Sequence, residues 1–151
     1  MSNVLLVYAS MTGNTEEMAN LVEKGLKSEG ITVDKKDVLS VDLSTLEAYD
    51  NILFGAYTWG EGALPDDFLD LYDDMETMDL TGKTFGVFGT GDLSYSIYCG
   101  AVDILEDLIK EKGGKIALEG LKVENFPSGE EKQLSIDFGI KFAKAINLSL
   151  T

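Results

Sequence analysis

The chain has 151 residues, enough for one domain with a full core and too few for two ordinary ones, so a single unit over residues 1–151 is expected. Acidic residues outnumber basic ones 27 to 12, which argues against nucleic acid or anionic lipid as partners, because both are bound through lysine and arginine. There is no histidine and a single cysteine, Cys99, so the commonest general base, an internal disulfide and any multi-cysteine metal centre are absent. No apolar run approaches the roughly 20 residues of a membrane span and no basic n-region opens the chain, so a cytoplasmic protein is expected.

Val4 to Ala9 is a continuous apolar run, the pattern of a strand covered on both faces, and Met18, Leu21, Val22 and Leu26 then recur at helical spacing until Gly30. Ile31 to Val38 predicts a second strand. Ser44 and Glu47 have the spacing of a capping box and open a short helical turn. Ile52 to Ala56 is the third strand, and Pro65-Asp66-Asp67 starts a helix with Phe68, Tyr72 and Met75 on one face.

Phe85 to Phe88 is the fourth strand. A helix from about Cys99 turns Val102, Leu105, Leu108 and Ile109 inward and stops at Gly113-Gly114. Ile116 to Val123 is the last strand, and Pro127 to Glu131 caps a final helix that buries Leu134, Phe138 and Phe142. Five strands alternating with helices predict a parallel sheet covered on both faces. Such sheets bind ligands beyond the carboxyl ends of their strands, where the strand order reverses, so the segments after strands one, three and four should hold the site.

The first of these segments is S-M-T-G-N-T. Gly13 lets the backbone turn N–H groups toward one point, the following helix adds its positive end, and Ser10, Thr12, Asn14 and Thr15 supply side-chain donors for a phosphate. The same residues also suit a plain polar helix start. No lysine stands among them. A loop that cleaves a nucleotide needs one because charge moves during transfer, whereas neutral donors suffice for a monoester that serves as a handle.

The second segment, T-W-G-E-G-A-L-P, follows Tyr57 and sets Trp59 among glycines at a strand end, where a core tryptophan is out of place. The third is T-G-D-L-S-Y-S-I-Y-C-G. Gly89 and Gly91 permit close backbone approach, Asp92 stands near the strand end, and Tyr95 can present a ring while Tyr98 packs on the helix. Two rings on separate loops and one phosphate cradle describe a pocket for a flat conjugated ring joined to a phosphate.

These three motifs, in this order, resemble those of the flavodoxins from the first strand to the final helix, and the uninterrupted Lys115 to Val123 resembles the short-chain class. The resemblance implies a doubly wound five-stranded parallel sheet of order 2-1-3-4-5, α/β with helices on both faces. It also implies one non-covalent FMN and one-electron transfer between redox proteins through the semiquinone/hydroquinone couple, with no substrate turnover. Carried over by position, Ser10, Met11, Thr12, Gly13, Asn14 and Thr15 hold the phosphate. Tyr57, Thr58, Trp59, Gly60, Glu61, Thr90, Gly91 and Asp92 line the flavin, Trp59 and Tyr95 sandwich its ring, and Cys99 packs near its edge. A flip of the Gly60–Glu61 peptide would turn the Gly60 carbonyl toward the reduced ring.

Leu93, where the family often has a small polar residue, and Ile97, where it often has an aromatic one, would make the outer ring edge more apolar, and Gly62 stands where a second acidic residue often follows Glu61. Of Glu61, Asp66, Asp67, Asp70, Asp73 and Asp74, the last two suit a plain solvated helix face, while the set as a whole suggests docking to basic redox partners, a flavodoxin reductase or similar donor and an acceptor oxidoreductase, by a monomer. Two other readings share the first loop, a flavin enzyme such as a quinone reductase or redox activator and a non-catalytic FMN-binding module. A response-regulator receiver would need a carboxylate cluster after strand one and a lysine ending strand five, which Tyr8-Ala9-Ser10 and Lys122-Val123 do not supply.

Overall fold

Apolar strands that alternate side chains between two covered faces build the centre of the molecule. A computed structural model describes residues 3–9, 13–57, 66–91, 100–124 and 129–149. The elements are β1 (Asn3–Ala9), α1 (Asn14–Ser28), β2 (Thr32–Asp37), a 3-10 turn (Val38–Ser40), α2 (Leu43–Glu47), β3 (Asn51–Tyr57), α3 (Asp66–Met75), β4 (Thr84–Gly91), α4 (Gly100–Glu111), β5 (Lys115–Ile116), β6 (Leu121–Glu124) and α5 (Glu130–Ser149). The strands run parallel, as the alternation of strands and helices predicts, and stand in the order β2-β1-β3-β4-β5 that the family resemblance implies.

Odd and even positions of each strand go to different cores. Leu5, Val7, Ile52, Phe54, Phe85 and Val87 pack under α3 and α4, whereas Val4, Leu6, Leu53 and Phe88 pack under α1 and α5. In the first core the Phe54 ring stacks on Phe85 with centroids 5.7 Å apart and meets Phe68 of α3 edge-on at 5.8 Å. On the other face α1 and α5 cross at Gly25 and Gly139. A Cβ at Gly25 would stand 2.0 Å from the Ile136 carbonyl oxygen, and one at Gly139 would stand 2.2 Å from that of Val22, so the two helix backbones touch.

Three expectations need correction. The capping box at α2 is Asp42 with Thr45 rather than Ser44 with Glu47. The Asp42 carboxylate accepts from the Thr45 N–H at 3.0 Å and from the Thr45 hydroxyl at 3.1 Å, two bonds that hold the Asp42 carboxyl below its ordinary range, and the same hydroxyl accepts from the Asp42 N–H at 3.4 Å. Leu134 is 49% exposed, because α5 turns Ser135, Phe138, Phe142, Ala143 and Ile146 inward instead. The last strand is also interrupted. Ile116 pairs with Phe85 and Leu121 with Phe88, so four residues (117–120) stand opposite two of β4, and β5 and β6 are the two pieces of one edge strand.

Glu106 of α4 lies against this interruption and accepts from the Gly120 N–H. Partial burial raises its pKa above the ordinary 4.5, with Asp103 adding to the rise and Lys110 and Lys122 opposing it. A raised carboxyl pKa in the folded state favours the fold below the unfolded value, and that contribution is lost as pH rises through the folded one. Glu106→Gln should therefore raise the thermal unfolding midpoint relative to the parent more at pH 7.5 than at pH 4. An equal difference at both values would show that the carboxylate is not penalised.

Candidate functional site

The ends of β1, β3 and β4 form one rim. Ala9 is level with Ala56, and Tyr57 with Thr90. From β1 the chain passes to β2 on one side, while β3 lies on the other, so the order of strands reverses between β1 and β3. That crevice is where open parallel sheets bind ligands. The three chemistry-bearing stretches of the sequence follow Ala9, Tyr57 and Gly91 directly.

At the first of them Gly13 is the N-cap of α1, with φ at +89°, a conformation that a residue with a Cβ adopts only under strain. Among the described residues, a Cβ built there meets no atom within 4 Å. The Gly13 carbonyl accepts from the Glu17 N–H at 3.0 Å, which closes the first helical turn over Asn14, Thr15 and Glu16. The positive end of a 15-residue helix thus stands at the rim, with its first N–H groups directed outward along the axis.

Thr15 and Thr90 are both buried, and their hydroxyl oxygens lie 2.9 Å apart. Thr90 follows Phe88 by two places and so points to the same face of β4, under α1. The pair ties the first turn of α1 to β4 across the intervening β3. Tyr57, at the end of β3, packs partly against the α3/α4-side core, and its hydroxyl pKa is raised by burial and then by the carboxylates of Asp67 and Asp66. Near the helix start the Tyr8 hydroxyl donates to Glu16 at 3.1 Å, and burial followed by that bond raises its pKa.

Of the predicted site residues the structure therefore places Gly13, Asn14, Thr15, Tyr57, Thr90 and Gly91 on this rim. Ser10, Met11, Thr12, Thr58, Trp59, Gly60, Glu61, Asp92, Tyr95 and Cys99 lie outside the described residues. The contact between Thr15 and Thr90 is new information. The sequence marks both residues, but nothing local connects hydroxyls 75 residues apart.

A doubly wound sheet with a glycine-started helix at its switch point is an arrangement suited to a nucleotide phosphate at the rim. The chemistry present fits a phosphate monoester, with an outward helix start, a left-handed glycine at its N-cap and a buried hydroxyl in the first turn. Residues 6–139 match the Flavodoxin family. The chain is 53% identical to "Probable flavodoxin 2" of Bacillus subtilis (strain 168) over 145 residues, 95% of this chain and 96% of the relative. It superposes on the crystal structure of oxidised Flavodoxin 1 from Bacillus cereus with a TM-score of 0.91 at 46% identity, covering 95% of this chain and 98% of that one. A short-chain flavodoxin associated with a bacterial microcompartment gives 0.90 at 35% identity, covering 95% and 98%.

The chain belongs to the flavodoxin family, in its short-chain class. It is an electron carrier that works through non-covalently bound FMN and with redox partner proteins, and it is not an enzyme with a substrate of its own.

Proposed function

We propose that the FMN phosphate is held by Ser10, Met11, Thr12, Gly13, Asn14 and Thr15, and that the flavin lies along Tyr57, Thr58, Trp59, Gly60, Glu61, Thr90, Gly91 and Asp92. Trp59 and Tyr95 cover its two faces and Cys99 its edge. The observation that carries this assignment is the single rim: the residues in question follow the ends of three adjacent strands at the point where the sheet order reverses. FMN supplies the electron-carrying ring when bound, and the protein supplies its setting.

That setting is negative. No lysine or arginine occurs in residues 10–15, 58–61 or 90–95. Asp66, Asp70, Asp73 and Asp74 stand exposed on α3, just after the second segment. A further negative charge at the rim is costly there, so the step that adds it proceeds only at low potential. Low-potential one-electron transfer as a monomer, within the cytoplasm and within one domain over residues 1–151, is the role that fits.

The same carboxylates suit a basic face on the donor and acceptor proteins. Electron transfer to a partner with a lysine-rich docking face should slow several-fold as ionic strength rises from about 0.01 to about 0.3 M, because the screening length falls from roughly 30 Å to below 10 Å. Rates that ignore salt would rule out charge-guided docking. The site assignment is tested by titrating the FMN-free protein with FMN. Replacing Trp59 or Asn14 with alanine should weaken binding, and unchanged affinity in both variants would remove the assignment.

A further inference from the structure

The Thr15–Thr90 contact carries a consequence for how the phosphate is gripped. Each threonine hydroxyl owns one proton and can accept from others, and either oxygen of this pair can be the donor. A phosphate monoester offers only acceptors to such a group. If the Thr15 proton goes to phosphate, Thr15 has none left for Thr90, and the 2.9 Å contact persists only with Thr90 as donor.

We infer that Thr90 is a positioning residue for the FMN phosphate: its hydroxyl donates to Thr15 and thereby directs the Thr15 proton outward to the phosphate. This rests on the reading that residues 10–15 hold that group. The geometry suits the relay. Thr15 is the second residue of α1, Thr90 stands one residue before the end of β4, and both are buried, so solvent competes little for their hydroxyls. A hydroxyl that accepts a hydrogen bond is also a better donor, because the chain of bonds is polarised in one direction. The rim thus gains grip on an anion without placing a cation beside the flavin. Thr90 reaches the phosphate only through Thr15, so its effect must depend on Thr15 and on the phosphate being present.

The test compares dissociation constants of the full-length FMN-free protein for FMN and for riboflavin, which has the same ring and no phosphate. Any contact of Thr90 with the ring is lost equally for both ligands, so Thr90→Val should weaken FMN binding about tenfold more than riboflavin binding, a difference equivalent to about 1.4 kcal/mol at 25 °C. Thr90→Ser, which keeps the hydroxyl, should restore FMN binding. The double variant Thr15→Val/Thr90→Val leaves no stranded hydroxyl and should bind FMN no more weakly than Thr15→Val alone.

Equal losses for both ligands in Thr90→Val would overturn the inference, since Thr90 would then act through the ring alone. So would unchanged FMN binding, or a further tenfold loss in the double variant relative to Thr15→Val. If Thr90→Val does not fold, the comparison of the double variant with Thr15→Val decides alone. A parent protein that binds riboflavin as tightly as FMN would instead refute the phosphate reading itself, and with it the premise of the relay.

Discussion

Gly139→Ala should destabilise the protein by about 2 kcal/mol, although the same change in an open helix interior gains about 1 kcal/mol. The reversal comes from the crossing of α1 and α5. The new methyl group would stand 2.2 Å from the Val22 carbonyl oxygen and 3.0 Å from the Leu26 nitrogen, both fixed in the hydrogen-bonded backbone of α1. Gly25 makes the reciprocal approach, with 2.0 Å to the Ile136 oxygen and 3.1 Å to the Ile140 nitrogen. No rotamer change relieves a clash with backbone, so the helices must part, and Phe138, Phe142 and Ile146 then lose contact with the sheet. In glycine the hydrogen at that position instead makes a weak C–H···O contact. Chemical denaturation of Gly139→Ala and Gly25→Ala checks this, and a gain in stability for either variant would show that the crossing has slack. Because α1 carries Gly13 and Thr15, the same variants should also bind FMN more weakly.

Phe54→Ala should cost about 3–5 kcal/mol, the range for truncating a buried phenylalanine, and lower the unfolding midpoint by roughly 6–20 °C for a chain of this size. Phe54 is fully buried at the middle of β3, and its ring is the one that both Phe68 and Phe85 contact. The cavity opens between the sheet and α3, the helix that follows residues 58–65. Loss of that contact loosens the anchor of the stretch that contains Trp59, so FMN affinity should fall together with stability. Phe54→Leu, which refills most of the space, should recover the larger part of both. If Phe54→Ala unfolded at the parent midpoint, the aromatic cluster would be incidental to the fold.

The sheet was readable because β1, β3 and β4 are covered on both faces, and a strand with two buried faces is written as a run such as Val4 to Ala9 rather than as alternation. The rim was readable for a different reason. Unusual residue types, a tryptophan among glycines and hydroxyls around Gly13, stand where strands end. Leu134 misled because hydrophobic spacing assumes that large side chains mark the inward face. In α5 part of that face is Ser135, Gly139 and Ala143, small enough for backbone to meet backbone, and Leu134 is turned outward beside it. At α2 two overlapping starts compete, and Asp42 prevails because its carboxylate reaches the Thr45 N–H. The interruption at 117–120 depends on a count of residues against β4, and the Thr15–Thr90 bond on a crossing over β3. Neither distance is encoded within reach of a local pattern.

The broken last strand also bears on what the sheet margins offer to another copy of the chain. An exposed sheet margin is a template on which another copy can add its own strand. Here one margin is split into pieces of two and four residues, too short to nucleate such a zipper. The opposite margin, Thr32–Asp37, carries Asp34, Lys35, Lys36 and Asp37 in succession, which makes intimate stacking of copies expensive. Neither margin therefore offers a long, uncharged edge to which the strand of another copy could be added.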